Sequence, residues 1–187
     1  ALTCLGVNGY KKTSVSDIAA AANISKALIF HYFGTKKALY LYLIDLSAHI
    51  IMKELDEKFD PAVTDFFDRI RLATNIEISV MKKYPAILSF LNSAYFENDD
   101  EVKEEIKTLL ANNEGESIRS RIAFEGTDTS RFKDGVDPKL VMKILTLLAV
   151  GHLSKMPKNA IDIEALCTEF DEYINLLKRN FYKEEFV

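Results

Sequence analysis

The sequence predicts an all-α protein of about nine helices, and three observations support this prediction. Apolar residues recur at spacings of three and four along most of the chain, rather than at the spacing of two that strands require. Glycine and proline are scarce, with 7 and 4 residues among 187, so few positions interrupt a helix. The hydrophobic fraction of 48% and the charged fraction of 28% are those of a globular protein with a sizeable core.

Two helices are predicted at the N-terminus. Residues 1–8 have the composition of the last turns of a helix, and Gly9 is a residue that commonly ends one. The sequence SVSD that follows has the form of a capping box, in which Ser14 caps the first turn and Asp17 bonds back. The box predicts a short helix that reaches about Ala22.

A second short helix follows after a tight turn. Asn23 tolerates the left-handed conformation that such a turn requires. Ser25 caps a helix from Lys26 to about Phe33, and Gly34 ends it. Two short capped helices joined by a tight turn form a helix-turn-helix, whose second helix enters the major groove of DNA.

The second of these helices has two faces of different character. We expect Ile24 and Ile29 to anchor it to a small core of its own. We expect Lys26, His31 and Tyr32 to point outward, toward phosphates and base edges. One hydrophobic face and one polar, aromatic face are typical of a helix that packs against the protein on one side and contacts a DNA duplex on the other.

The remaining helices follow in order along the chain. Thr35 caps a long helix, and the body of the protein begins at Asp60-Pro61. Pro85 opens a further helix, and Asp137-Pro138 opens another after a loop rich in turn residues. The predicted helices run from Thr35 to about Phe59, from Val63 to about Tyr84, and over about 86–97, 100–124, 138–155 and 163–183.

The last two helices are rich in apolar residues. The helix at about 138–155 is apolar almost all round, so it needs cover from two sides. The last helix, which Asp162 can start, repeats apolar residues at three and four. This repeat forms a seam that is able to pack on another helix.

Charge divides the chain into two unequal parts. Residues 1–49 hold five lysines and two aspartates, a net charge of +3, which leaves −7 for the rest of a chain whose net charge is −4. A basic module on an acidic body is expected when one end meets a polyanion, although five lysines are few enough for chance to produce the pattern. We predict a DNA-binding domain at 1–45 and a second helical domain at 46–187.

The sequence GYKKTSVSDIAAAANISKALIFHYFGTKKALY, residues 9–40, resembles the N-terminal DNA-binding domain of the tetracycline-repressor (TetR) family. The family pattern is roughly Gly-Tyr-x-x-Thr-[Thr/Ser]-Val-x-Asp-Ile-Ala, then Ala-Gly-Val-Ser-x-Gly-x-Leu-Tyr-x-[His/Tyr]-Phe, then Lys-x-x-Leu. The residues that match are Gly9, Tyr10, Thr13, Ser14, Val15, Asp17, Ile18, Ala19, Ser25, Lys26, His31, Tyr32, Phe33, Lys36 or Lys37, and Leu39.

The chain departs from the family pattern at several positions. Asn23 replaces the turn glycine, Ala27 stands where glycine is frequent, and Leu28 stands where threonine is common. Phe30 replaces a tyrosine whose hydroxyl often meets a phosphate in the family, and we move that role to Tyr32. The usual basic start of the first helix is also absent, so the sequence leaves open what precedes it.

The resemblance and the predicted faces together give the candidate DNA contacts. Lys36 stands at the start of the fourth helix, where the family places a phosphate-binding lysine and where backbone dipoles favour an anion. The hydroxyl groups at the start of the second helix either bind phosphate or only cap the N-terminus of that helix. Leu28 either touches a thymine methyl group or packs inside the protein. The candidates are Thr13, Ser14, Ser16, Ser25, Lys26, Ala27, Leu28, Phe30, His31, Tyr32 and Lys36.

For the body, the resemblance implies a pocket for a small, largely hydrophobic effector between the helices of residues 60–155. Aromatic side chains would line it and polar ones would fix the ligand, and the alternative for each is ordinary core packing. A histidine in the apolar helix is either a ligand contact or a satisfied buried side chain. The candidates are Phe66, Phe67, Phe90, Asn92, Tyr95, Phe96, Phe124 and His152.

The resemblance also implies how such a protein would work. It would be a bacterial transcriptional regulator, with repression favoured over activation, that binds a palindromic operator as a homodimer. The last two helices would form the dimer interface, unless their seam packs only within its own chain. Effector binding would swing the long fourth helix, change the separation of the two recognition helices and lower the affinity for DNA.

Other functions have less support in the sequence. Three histidines and the absence of Gly-x-Ser-x-Gly, His-Glu-x-x-His and phosphate-binding glycine loops predict neither an enzyme nor a cofactor or metal site. Cys4 and Cys167 are expected to be reduced thiols in a cytoplasmic protein. The alternative is a helical partner-binding or membrane-surface protein without DNA recognition, and the acidic body disfavours anionic membranes.

Overall fold

The computed structural model describes residues 1–112, 114–155 and 162–187, and over these residues the protein is all-α. Two short 3-10 helices and one isolated bridge between Phe132 and Tyr182 complete the secondary structure of these segments, which contain no strand. The helices are α1 (Leu2–Lys12), α2 (Val15–Ala22), α3 (Lys26–Phe33), α4 (Lys36–Lys58), α5 (Phe66–Lys83), α6 (Pro85–Tyr95), α7 (Lys103–Asn112), α8 (Glu114–Phe124), α9 (Pro138–Lys155) and α10 (Ile163–Phe181).

The all-α prediction is confirmed, and the described residues hold ten α-helices where about nine were predicted. The difference arises at about 100–124, where a single helix was predicted and α7 and α8 are found. Residue 113, between them, lies outside the described residues.

Helix starts follow the capping residues of the sequence. The side-chain oxygens of Ser14, Ser25 and Thr35 each accept a hydrogen bond from the backbone N–H three residues on, at the starts of α2, α3 and α4. These bonds satisfy N–H groups that have no partner within the helix. Asp65 caps α5 in the same way, so this helix begins at Phe66 and not near Val63 as predicted.

Gly9 kinks α1 instead of ending it, so the predicted end of the first helix is wrong. Its φ of 75° and ψ of 176° lie outside the helical region, and helical structure resumes as far as Lys12. The kink turns the backbone N–H of Tyr10 away from the helix axis, and this N–H donates a hydrogen bond of 2.9 Å to Glu97 after α6. A side chain at Gly9 would be strained at this positive φ.

The core consists of three apolar clusters that share helices. The first joins α1–α4 to α6 and α7, the second joins α5 to α8–α10, and the third lies between α4, α5, α6 and α8. Phe90, Ala94, Val102 and Ile106 from the body belong to the first cluster, so the N-terminal module packs directly on the helices that follow it. The domain boundary at residue 45 therefore stays a prediction.

Helix α1 packs on α6 at Gly6, where α6 leaves no room for a side chain. Gly6 is buried, and a Cβ atom built on it would lie 2.9 Å from Ser89 Oγ and 3.0 Å from the backbone nitrogen of Phe90. Only a residue without a side chain fits at this distance. The contact joins the first helix of the N-terminal module to the body.

A buried arginine ties the end of α8 to the segment before α5. The Arg69 side chain is buried and donates hydrogen bonds to the backbone carbonyls of Ile122, at 2.6 Å, and Glu125, at 2.8 Å, and to that of Val63. Its guanidinium also lies 4.8 Å from the ring centre of Phe59. The arginine supplies donors to carbonyls that would otherwise be unsatisfied inside the protein.

In the described part of the chain, none of the helices is both long enough and apolar enough to cross a membrane.

Candidate nucleic-acid interface

Helices α2 and α3 are joined by a tight left-handed turn. Asn23 adopts φ 53° and ψ 43°, and its N–H bonds back to the carbonyls of Ala19 and Ala20. The N–H of Ile24 also bonds to the Ala19 carbonyl, at 3.0 Å. The turn fixes the angle between the helices, as the helix-turn-helix prediction requires.

Helix α2 is held by the predicted capping box, which is confirmed. Ser14 Oγ accepts from the N–H of Asp17 at 3.1 Å, and the Asp17 carboxylate accepts from the N–H and hydroxyl of Ser14 at 2.9 and 2.7 Å. These hydrogen bonds hold the pKa of Asp17 below its usual value. Ser14 and Ser16 are both exposed residues at the start of the helix, and the Ser14 hydroxyl is already bonded to Asp17.

One face of α3 packs and the opposite face is open. Ile29 is 4% exposed and belongs to the first cluster. At 100° per residue, Ala27 and His31 lie nearly opposite Ile29, while Leu28 and Phe30 lie on either side of that open face. All four are exposed, and Leu28 and Phe30 are 40% and 41% exposed despite being large and apolar.

Ile24 does not anchor the motif, which corrects the prediction made from the sequence. It is 42% exposed, whereas Ile29 is buried as predicted. The left-handed turn at Asn23 ends the helical repeat, so the spacing between the two isoleucines does not place them on one face. Ile24 instead extends the apolar part of the exposed surface.

The polar side chains of α3 are also outside the protein. Lys26 is exposed, and its Nζ lies 5.7 Å from the ring centre of Phe30. The rings of His31 and Tyr32 contact edge to face at 5.3 Å, and Tyr32 is 72% exposed. Ser25 Oγ accepts the N–H of Leu28 at 3.1 Å as the cap of the helix. The structure thus brings Lys26, His31 and Tyr32 to the surface, as expected.

Two candidate phosphate contacts are used inside the protein. Thr13 is 1% exposed, and its hydroxyl donates to the carbonyls of Gly9, at 2.8 Å, and Cys4, at 3.2 Å. The amine of Lys36 donates to the carbonyls of Tyr10, at 3.1 Å, and Thr13, at 3.3 Å. Thr13 is therefore a buried structural residue, and Lys36 closes the C-terminal end of α1.

The neighbouring lysine is also paired. Lys37 forms an ion pair with Glu105 of α7, and hydrogen bonding to Lys37 lowers the pKa of this carboxyl group. Sequence reasoning missed this pair because nothing in the local pattern near Lys37 points to a residue so far along the chain. The other lysines of this module, Lys11 and Lys12 at the end of α1, are exposed.

Aromatic rings connect the module to the body beneath α3. The rings of Tyr10 and Tyr40 are 4.9 Å apart, and Tyr40 contacts Phe90 of α6 at 5.4 Å. The Lys36 amine lies 4.0 Å from the Tyr10 ring centre. Burial raises the pKa of both tyrosines, and the negative charge of nearby Glu101 raises that of Tyr10 further.

The predicted effector-binding residues do not come together in one site. Phe66, Phe67 and Phe124 belong to the second cluster, whereas Phe90 belongs to the first. Tyr95 and Phe96 are exposed and stack on each other at 5.1 Å. These rings pack in two cores and on the surface, so the structure does not bring them into one lining, and the effector site stays a prediction.

The polar candidates behave differently from the aromatic ones. Asn92 is buried on α6, and its Oδ1 accepts no hydrogen bond from the described residues. His152 is partly buried, and its Nδ1 lies 2.8 Å from a carboxylate oxygen of Glu169. His152 is therefore paired across α9 and α10.

Two of the cavities beside the described residues are lined by side chains other than the candidate effector residues. One is a crevice of about 10 Å³ beside Arg71, Cys167 and Phe170. The other is an open groove of about 440 Å³ between α4 and α7, lined by Leu41, Tyr42, Asp45, Glu105, Thr108 and Leu109.

The turn geometry and the exposed face of α3 define a helix-turn-helix within an all-α protein. Residues 1–43 match the family model described as bacterial regulatory proteins, tetR family. The N-terminal segment of the chain is therefore similar to the DNA-binding helix-turn-helix domain of that family. None of the curated proteins matches the chain.

Solved structures share the fold over nearly the whole length. The TetR-family regulator PfmR from Thermus thermophilus is similar with 17% identity and a TM-score of 0.63, covering 93% of this chain and 94% of that one. A TetR-family regulator from Chloroflexus aurantiacus is similar with 18% identity and a TM-score of 0.63, covering 98% and 90%. These similarities extend the shared fold to the body helices, beyond the segment that the family model matches.

Proposed function

We propose that the protein is a ligand-responsive repressor that binds a palindromic operator as a homodimer and is released by a small, largely hydrophobic effector. The observation that carries this proposal is the exposed face of α3, with Lys26, His31 and Tyr32 beside apolar side chains. A helix of eight residues with one buried face and one open face suits a B-DNA major groove about 12 Å wide.

Binding to DNA is tested with the purified protein and a pool of random duplexes. We expect an enriched sequence with two related half-sites whose centres are about 34–36 Å apart or somewhat further. Affinity for the enriched duplex should fall steeply as salt rises, because lysines that meet phosphates release counterions. A protein that enriches no duplex would contradict the proposal and would favour a partner-binding or membrane-surface role.

Homodimerisation is supported by apolar side chains that the single chain leaves open. Leu140 and Leu147 lie two turns apart on α9 and are 57% and 62% exposed, and Leu176 on α10 is 59% exposed. Among the described residues of α9 only Val141 and Leu145 are buried. A second copy that packs α9 and α10 against the same helices would cover these leucines in a four-helix arrangement.

The dimer is tested by placing a charge in the proposed interface. Leu147→Glu and Leu176→Glu should shift the protein toward monomer in sedimentation velocity, because each buries a carboxylate in an apolar contact. Tyr84→Glu, at an exposed position between α5 and α6, is the matched control and should leave the mass unchanged. If both leucine variants sediment as dimers in the same proportion as the wild type, the interface lies elsewhere.

The effector proposal is supported by the resemblance and by the composition of the body. Phenylalanine and tyrosine side chains are frequent in the body helices, and Asn92 of α6 keeps a buried oxygen without a hydrogen-bond donor among the described residues. Native mass spectrometry of the protein after purification would detect a retained ligand. Calorimetric titration with operator DNA, with and without that ligand, should show weaker DNA binding when the ligand is present.

A further inference from the structure

We infer that α3 selects its half-site mainly through the C5 methyl groups of thymines, which Leu28 and Phe30 contact on either side of Ala27. The inference rests on the proposed operator binding and names what the recognition helix reads. Ala27 lies nearly opposite the buried Ile29 and is small, so it lets the helix approach the base edges closely. Leu28 and Phe30 then flank the point of closest approach.

The hydrogen-bonding side chains of the helix are too few to read a half-site by themselves. Guanine is most often read by arginine or lysine, and adenine by asparagine or glutamine. The chain has no arginine before Arg69, and α3, with the sequence KALIFHYF, has neither asparagine nor glutamine. Asn23 is held in the turn at φ 53°, and Ser25 Oγ is used in the cap.

His31 lies nearly opposite the buried Ile29 and is the remaining hydrogen-bonding side chain of α3 that is best placed to meet a base in the groove. Lys26 and Tyr32 each lie about 60° from the buried Ile29 around the helix, on opposite sides of it, which suits their polar ends to the sugar-phosphate backbone better than to the floor of the groove. Lys26 lies near the Phe30 ring at the start of the helix, where phosphates are also within reach. The helix therefore offers at most two hydrogen-bond donors to the bases. Other contacts must distinguish the remaining base pairs of a half-site.

The apolar side chains are placed to supply these contacts. Ile24, Leu28 and Phe30 are each about two-fifths exposed, and the buried side of the helix is already filled by Ile29. The thymine methyl group is the apolar feature of the major groove, and alanine and phenylalanine are among the residues that contact it. Exposed leucine and phenylalanine at this position therefore favour half-sites with thymine at defined positions.

Deoxyuridine provides a direct test, because it keeps the hydrogen-bonding groups of thymine and lacks only the methyl group. The duplex enriched by the wild-type protein is resynthesised with deoxyuridine at one thymine at a time, in both half-sites, and affinity is measured by fluorescence anisotropy at fixed salt. We expect at least one position at which the change weakens binding about fourfold per half-site, as the loss of one buried methyl group would.

Variants then assign the methyl contact to a side chain. For the Leu28→Ala or Phe30→Ala variant, replacing thymine by deoxyuridine should no longer lower the affinity at the position that the deleted side chain contacts. Both side chains are exposed, so circular dichroism should show an intact fold. Val7→Ala, at an exposed apolar position of α1, is the matched control and should keep the full sensitivity to deoxyuridine.

The possible outcomes distinguish a failure of operator binding from a failure of methyl recognition. If no duplex is enriched, the proposed operator binding fails. If a duplex binds tightly and deoxyuridine has no effect at any thymine, or the enriched half-sites contain no thymine near their centres, the methyl inference is overturned while operator binding stands. If the sensitivity persists unchanged in both alanine variants, the assignment to Leu28 and Phe30 is wrong.

Discussion

Replacing Gly6 by alanine should destabilise the protein, although alanine is the better helix former. Gly6 lies in α1 at its crossing with α6, and a Cβ there would lie 2.9 Å from Ser89 Oγ, 3.0 Å from the backbone nitrogen of Phe90 and 3.1 Å from the Ser89 carbonyl carbon. The Ser89 hydroxyl could rotate away. The backbone atoms could not, so the two helices would have to separate.

Two opposing free energies set the size of the effect. Alanine gains about 1 kcal/mol over glycine inside a helix. Overpacking a close contact costs about 1–3 kcal/mol, and a contact with backbone places Gly6→Ala in the upper half of that range. The net loss is about 1–2 kcal/mol, which for a chain of this length lowers the melting temperature by about 2–8 °C.

Gly151→Ala is the matched control. Gly151 is also inside a helix, α9, and a Cβ atom there would meet no described residue within 4 Å. The higher helix propensity of alanine therefore acts alone and should stabilise the protein by about 0.5–1 kcal/mol. Thermal unfolding is followed at two protein concentrations, since α9 belongs to the proposed dimer interface and a dimer effect would depend on concentration. A Gly6→Ala variant as stable as the wild type would refute the close-packing argument.

Three further perturbations test other contacts. Arg69→Met should lower the free energy of unfolding by about 2–4 kcal/mol, because it leaves buried carbonyls without donors. Arg119→Met, which removes an exposed ion pair, should lower it by less than about 1 kcal/mol in the same thermal unfolding experiment. Equal effects of the two changes would contradict the role of the buried guanidinium. Because the pKa of Asp17 is lowered in the folded protein, its capping box stabilises α2 above about pH 4 and is lost as pH falls through the lowered pKa. The stability difference between wild type and Asp17→Asn should therefore vanish in acid, and a difference that persists at about pH 2 would count against the box. Glu105→Gln should release Lys37 and raise affinity for any duplex, with a salt slope steeper by about one; an unchanged slope would show that Lys37 stays away from phosphate.

Local chemistry explains why the helix-turn-helix could be predicted from sequence. Ser14, Ser25 and Thr35 cap helices through bonds to backbone three residues away, and Asn23 sets the turn through its own backbone angles. Such interactions need no information from distant parts of the chain. The predicted order of helices and the outward position of Lys26 depend on the same short-range signals.

Long-range packing explains where prediction failed. Lys36 looks like a free phosphate ligand in sequence, and only the return of the chain past Tyr10 and Thr13 reveals carbonyls that use its amine. The aromatic residues of the body were grouped by type, yet Phe66 and Phe90 pack in different clusters because their helices face different neighbours. Periodicity identifies a buried face and does not say which other face will cover it.

Contacts of α1 bear on how a signal from the body would reach the DNA-binding module. The sequence suggested the long helix α4 as the connection, and α4 does carry the Tyr40 ring that packs between Tyr10 and Phe90. Yet α1 touches α6 at Gly6 without space for a methyl group, and the Tyr10 N–H is bonded to Glu97 just beyond α6. A close-packed contact transmits displacement because it has no free volume to absorb it. We therefore expect a ligand that shifts α6 to move α1 as well, and through Lys36 the start of α4. The operator affinity of Gly6→Ala, which separates α1 from α6 without touching α3, would measure how strongly this contact positions the recognition helix.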